Sequence, residues 1–208
     1  MIRRDGGKVE DFPDIIIADS NRDKQISADY DVRNGFPLRK NPLAVDVGSG
    51  KGRFLLARAE AHPQTNFLGI ERQYGRICKT AAKVKRAELE NVRLARVEAA
   101  AGIAELLQPE SVSIFYIFFP DPWPKRRHHR RRLINPDFLT LLHSRLERGG
   151  VVHFASDHED YAVEVAKLFR KDKRFDEIDP FVPSEDERTD FEIVFTGKPI
   201  GRVSIRKC

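Results

Sequence analysis

The run Phe118-Phe119-Pro120-Asp121-Pro122-Trp123-Pro124-Lys125 locks one acid and one large aromatic between three prolines. Proline fixes φ and has no N–H, so this backbone is stiff and cannot extend a sheet ladder. A cation block follows at once: Trp123 to Arg132 holds six Lys/Arg, two His and no acid. Asp121 and Trp123 beside Lys125, Arg126, Arg127 and Arg130 suit a flat, polyanionic substrate. Together with Arg131 and Arg132 these cations are expected to contact phosphates, which positions a nucleic acid without reading its sequence. The bland alternative is a solvated basic face. Trp123 has the chemistry to stack a base, but packing within its own loop is the stronger expectation. His128 and His129 read as part of the basic surface.

A second chemical element is Asp46-Val47-Gly48-Ser49-Gly50-Lys51-Gly52, which follows a strand pattern and opens a helix pattern. A phosphate-binding P-loop needs Ser or Thr after Gly-Lys; Gly52 stands there, so that reading fails. A dinucleotide fingerprint needs Gly-x-Gly-x-x-Gly, and the spacing here is Gly-x-Gly-x-Gly. A loop for S-adenosylmethionine remains, with Gly48, Gly50 and Gly52 letting the backbone approach closely because no Cβ intervenes. Three acids fit the same ligand. Asp46 lies beside the glycines, near an expected ammonium. Glu71 is placed to accept two hydrogen bonds from a ribose diol. Glu98 has the position to face an adenine amino group. Each alone is equally a solvated strand-end acid.

These groups need a scaffold that brings strand ends together. Strand patterns at Ala44–Val47, Asn66–Glu71, Val92–Glu98, Ser111–Phe119 and Val151–Ser156 alternate with helix patterns at Arg53–Ala61, Gln73–Glu90, Ala100–Leu107, Asn135–Arg148 and His158–Lys171. The fourth helix pattern is stopped by Gly149-Gly150. Two β-rich runs within Glu192–Lys207, around Thr196-Gly197-Lys198-Pro199, suggest a terminal hairpin. The alternation predicts an α/β Rossmann-like fold with a mostly parallel, seven-stranded sheet and a C-terminal β-hairpin. Ligands in such sheets sit beyond the carboxyl ends of the strands, where the strand order reverses. Residues 1–42 are polar and turn-rich, with an apolar island at Ile15-Ile16-Ile17, and read as a partly mobile N-terminal arm. Residues 43–208 read as a single domain, a size that buries a sizeable core.

Composition narrows the setting. The chain has 208 residues and a formal charge of +5. Its two cysteines, Cys78 and Cys208, have no metal-ligand or redox spacing, which predicts no metal and fits a reducing, cytoplasmic environment. No signal peptide, lipidation motif or long apolar span is evident, so no membrane partner is expected.

The glycine loop, Gly69-Ile70-Glu71, Phe118 to Trp123, Ser156-Asp157 and Thr189-Asp190-Phe191-Glu192 together resemble the bacterial tRNA (guanine-N7-)-methyltransferases. The resemblance runs from about Ala44 to Lys207. It implies a class I methyltransferase fold, S-adenosyl-L-methionine as cofactor, and methylation of a guanine in the tRNA variable loop. It implies cofactor contacts at Asp46, Gly48, Gly50, Gly52, Glu71, Glu98 and Asp121, with Asp121 as the catalytic residue. Lys125, Asp157, Thr189, Asp190, Phe191 and Glu192 are implied in binding the guanine. Family members often carry Asp-Ala where this chain has Glu98-Ala99, and Lys where it has Asp190. A methyltransferase of another substrate, or a non-enzymatic RNA-binding protein on the same fold, are the alternatives. A nicotinamide-dependent dehydrogenase is disfavoured by the glycine spacing.

Overall fold

The computed structural model describes residues 7–19, 30–195 and 197–208. Strand β1 (Ile16–Asp19) comes first, then β2 (Leu43–Val47), α1 (Arg53–Ala61), β3 (Asn66–Ile70), α2 (Tyr74–Arg86), β4 (Val92–Arg96) and α3 (Ala99–Leu106). There follow β5 (Val112–Phe118), α4 (Pro136–Arg145), β6 (Leu146–Ser156), α5 (Glu159–Lys171), β7 (Phe175–Ile178), α6 (Asp190–Val194) and β8 (Gly201–Lys207). A six-residue 3₁₀ segment, Arg126–Arg131, holds most of the basic block.

The strands form one sheet in the order β1-β4-β3-β2-β5-β6-β8-β7. Pairing is parallel from β1 through β6, and β8 runs antiparallel between β6 and β7. Strands β2, β3 and β4 are buried along their whole length and β5 along most of it, because helices cover both faces. Phe54, Ile77, Ala81 and Val84 of α1 and α2 build one core layer. Ile103, Phe138, Leu142, Tyr161 and Phe169 of α3, α4 and α5 build the other. Each large apolar side chain so buried contributes roughly 1.5–3 kcal/mol. The chain winds from β2 out to β4, then crosses back to place β5 against the other side of β2. The order therefore reverses between β2 and β5, whose carboxyl ends carry Asp46 and the Pro-Asp-Pro-Trp loop.

Three sequence expectations are corrected. The sheet has eight strands rather than seven: Ile16–Asp19 along β4 and Phe175–Ile178 along β8 are added, and one expected terminal strand is lost. The Leu94 amide donates to the Ile15 carbonyl at 2.8 Å, and Asp19 pairs with Arg96, so the arm covers what would be an open sheet edge. Val9, Phe12, Ile16, Ala18, Val32 and Phe36 are all buried; residues 1–6 and 20–29 of the expected arm lie outside the described residues. The terminal antiparallel pair is not formed within Glu192–Lys207: β8 pairs with β7 across the 179–200 connection, the described part of the first β-rich run is helical, and Thr196 lies outside the described residues. Thr189 Oγ1 accepts from the Glu192 amide at 3.1 Å while Glu192 Oε2 accepts from the Thr189 amide at 2.8 Å. This reciprocal capping box starts a helix and overrides the β propensity of Phe191-Glu192-Ile193-Val194. Finally, Gly149 and Gly150 do not stop α4, which ends at Arg145; they lie within β6, where a Cβ on Gly150 would meet the Val112 carbonyl at 3.0 Å.

Candidate functional site

The glycine loop leaves β2 through three left-handed backbone positions, with φ of 85° at Gly48, 56° at Gly50 and 76° at Gly52. Glycine alone adopts these at no steric cost. Their surroundings differ in a useful way. A Cβ on Gly52 would collide with Thr80 and Leu56 of the helix layer, so this glycine serves packing. A Cβ on Gly48 would meet nothing within 4 Å, and one on Gly50 only the Gly48 carbonyl at 3.9 Å. These two glycines border open space, which is a cradle that a ligand can fill.

That space is a cavity of about 290 Å³. Asp46, Gly48, Ser49, Gly50 and Arg53 form one wall, and Phe118, Phe119, Thr189, Asp190 and Phe191 form another. Asp46 is 5 % exposed, and its carboxyl is raised to about 7, first by burial and then by the nearby Glu71 charge. Ser49 Oγ is buried and has no hydrogen-bond partner. A buried acid that lacks a cation and a buried hydroxyl that lacks a partner both fit a ligand carrying an ammonium and polar atoms.

Glu71 holds the loop in shape. Its Oε2 accepts from the Gly50 amide at 3.1 Å and its Oε1 from the Gln73 amide at 2.8 Å, with Arg76 3.7 Å away. Each Glu71 oxygen keeps acceptor capacity beyond its one backbone amide, but Glu71 itself does not line the cavity. Glu98 is elsewhere: it caps α3, its Oε2 accepting from the Ala101 amide at 3.0 Å. It lines a separate depression with Arg130, Arg131, Asn135 and Asp137.

The loop after β5 bends through two strained positions, Phe119 (φ 52°) and Trp123 (φ 43°). Non-glycine residues in this region are uncommon and need support from their surroundings. Phe119 has it: its ring stacks on Phe191 at 4.8 Å, and Phe191 meets Phe195 at 4.4 Å. Trp123 packs on its own loop, edge-on to His128 at 5.9 Å and under the Arg131 guanidinium at 5.0 Å. Asp121 and Lys125 are exposed on this loop and do not line the cavity; Asp157, half-buried after β6, does not either.

The basic block divides in two. Arg126, Arg127, Arg130 and Arg131 are exposed, as phosphate contacts require. Arg132 is 3 % exposed, which overturns its expected phosphate role. Its Nε donates to the Pro122 carbonyl at 2.9 Å, it pairs with Glu164, and its guanidinium lies 4.7 Å over the Tyr161 ring. Arg132 thus ties the Asp121 loop to α5. Glu192 is similarly committed: one oxygen closes the capping box and the other pairs with Arg202.

The sequence reading missed the roles of Phe119, Arg76 and Phe195, and gave Arg132 a phosphate contact where it serves as a buried clamp. The left-handed kink that sets Phe119 on Phe191 has no local signature, and Arg132 differs from its neighbours only by standing where the 3₁₀ segment ends. Among the described residues, no group of three His, Cys, Asp or Glu could hold a metal ion, and no helix is long and apolar enough to cross a membrane.

A reversed-order α/β sheet with a glycine cradle and strand-end acids is a Rossmann-like cofactor-binding arrangement, and the family model identifies its class as methyltransferase. Residues 40–196 match the model of a family described as "Putative methyltransferase". A tRNA (guanine-N(7)-)-methyltransferase of Nitrosomonas europaea is 37% identical over 155 residues, covering 69% of each chain. One of Thermotoga maritima is 44% identical over 137 residues, covering 66% of this chain and 44% of that one. The chain belongs to the tRNA (guanine-N(7)-)-methyltransferase family. Among solved structures, a 16S rRNA (adenine(1408)-N(1))-methyltransferase from Catenulisporales acidiphilia with cosubstrate SAM superposes with a TM-score of 0.54. It is 15% identical, covers 85% of this chain and 88% of that one, and shares the fold.

Proposed function

We infer that this protein transfers a methyl group from S-adenosyl-L-methionine to N7 of a guanine in the tRNA variable loop. The observation that carries this reading is the shared cavity. The glycine cradle of β2 and the Thr189–Phe191 wall enclose one space, beside the Asp121 loop. The cofactor supplies an electrophilic methyl group on a sulfonium. Guanine N7 presents an in-plane lone pair, so no proton has to be removed and the work is alignment plus electrostatics. Asp46 holds the cofactor ammonium, Gly48 and Gly50 let its backbone pass, and Glu71 takes the ribose hydroxyls. Gly52 keeps the loop on α2, and Glu98, committed to the α3 cap outside the cavity, takes no part in this reading.

Asp121 orients the guanine and offsets the positive charge that methylation places on it. Asp157, Thr189, Asp190 and Phe191 hold the base, with Phe191 backed by Phe119 and Glu192 acting through the α6 cap. Lys125, Arg126, Arg127 and Arg130 contact phosphates. Residues 43–208 form the catalytic domain, the described part of the arm (7–19 and 30–42) lies at its edge, and the protein works in the cytoplasm.

Incubation with labelled S-adenosylmethionine and unmodified tRNA, followed by digestion to nucleosides, tests the reading. Labelled 7-methylguanosine is expected. Label in another nucleoside, or no transfer alongside tight tRNA binding, refutes it.

A further inference from the structure

Helix α2 carries five cations and no acid between Tyr74 and Arg86. Its inward side is Ile77, Cys78, Thr80, Ala81 and Val84. At 3.6 residues per turn, Arg76, Lys79, Lys83 and Arg86 fall within about 80° of arc on the side away from that core. Lys85 is turned off this line, its Nζ 5.9 Å from the Phe12 ring centre. One acid reaches the stripe: Glu71 lies 3.7 Å from Arg76 at the cavity end, while Glu10 and Asp11 act on the Cys78 flank and Glu88 and Glu90 follow the helix. Like charges three and four residues apart repel and weaken a helix. An ordinary solvated face mixes both signs; beyond Arg76, the cations Lys79, Lys83 and Arg86 meet no acid among the described residues.

The stripe starts at the cavity. Arg76 lines it, and the Lys83 ammonium donates to the Lys51 carbonyl of the glycine loop at 2.6 Å. α2 belongs to the core layer of Phe54 and Ile77, whereas Arg126–Arg131 leads into α4 on the other layer. The two cationic surfaces therefore flank the cavity from opposite faces of the sheet. Apart from Tyr74 at its start, α2 exposes no large apolar side chain, so it lacks the greasy face of a membrane-surface helix.

We propose that the outer face of α2 is a second phosphate-contact surface for RNA, built from Arg76, Lys79, Lys83 and Arg86. It rests on the tRNA reading above. RNA leaving the reacting base on one side meets Arg126, Arg127 and Arg130. On the other side it follows α2 for about 15 Å, the rise of ten helical residues.

The test is Lys79→Ala/Arg86→Ala, two exposed positions outside the cavity. Unmodified tRNA affinity is measured across a salt series, with S-adenosylhomocysteine affinity and melting as controls. Two lost phosphate contacts make the log–log salt slope shallower by roughly 1.5 and weaken binding about tenfold at low salt. Cofactor affinity and melting stay unchanged. The swap Lys79→Arg/Arg86→Lys keeps the wild-type slope. An unchanged slope and affinity in the Ala variant overturn the proposal, as does weaker binding that the swap fails to restore. The outcomes separate cleanly. A wild type that labels no tRNA while the slope still changes sinks the methylation reading alone. Normal labelling with an unmoved slope sinks the α2 surface alone.

Discussion

Asp46 and Glu71 are 5 % and 6 % exposed, whereas Asp121 and Lys125 stand in solvent a few residues beyond the neighbouring strand. The first pair is woven into backbone: Glu71 takes the Gly50 and Gln73 amides and raises the carboxyl of Asp46. The second pair rides on a proline-stiffened loop that is anchored from behind, through the Pro122 carbonyl on Arg132 and the Phe119 ring on Phe191. A small cofactor is recognised by groups already desolvated and fixed. A polyanion is met by long cations that stay hydrated until phosphates replace the water. Preorganisation of the second loop therefore lies in its anchors, not in its exposed residues.

The largest expected effect is at the exposed acid. Asp121→Asn should cut kcat by about 100-fold or more while tRNA affinity holds within about twofold, checked by single-turnover kinetics and filter binding. Near-normal turnover would remove Asp121 from the chemistry.

Next comes the pH behaviour of the buried acid. Asp46 titrates at about 7, so below that pH it is neutral, and holding an ammonium requires its proton to leave. Affinity for S-adenosylhomocysteine should rise with pH by up to about tenfold per unit between roughly pH 5 and 7, then level off. Calorimetry across that range checks it. Asp46→Asn should flatten the profile; an unchanged profile breaks the contrast between the two walls.

Gly52→Ala sharpens the same contrast. It forces a Cβ at φ 76° onto Thr80, so it should destabilise the fold by about 1–3 kcal/mol and weaken cofactor binding. Gly48→Ala, facing open space, should keep more of the stability and lose cofactor affinity. Melting and calorimetry separate the two.

The smallest effects divide two arginines of one block. Arg132→Met should lower stability by roughly 1–2 kcal/mol, Glu164 being half exposed, and should slow turnover by loosening the Pro122 loop. Arg127→Ala should leave melting unchanged and make the tRNA salt slope shallower by about 0.7–0.9. Equal behaviour of the two would contradict the division of the block into clamp and contact.

Much of the α/β alternation was legible because each strand and helix is coded locally by period, flanking glycines and length. α1 spans Arg53–Ala61 as the pattern predicts, and β2, β3, β4 and β5 fall within a residue or two of theirs. The chemistry of the glycine loop was legible for a similar reason: Gly-x-Gly-x-Gly after a strand is a backbone requirement written in residue types. The misses share another cause. Thr189–Val194 has β-rich composition, and only the reciprocal Thr189–Glu192 bonds make it helical. Ile16–Asp19 becomes a strand because β4 offers an unpaired edge, which nothing near Ile16 encodes.

By itself, then, the sequence determined the alternating elements, the glycine cradle, the strand-end acids and the amount of positive charge, all properties of neighbours along the chain. The tertiary structure decided which cations face water and which one is buried as a clamp. It also decided which acids spend their oxygens on the scaffold, and that α6 closes the cavity opposite the glycines. Those outcomes depend on burial and on partners brought in from tens of residues away, and burial is what turns one cation among six into a structural anchor.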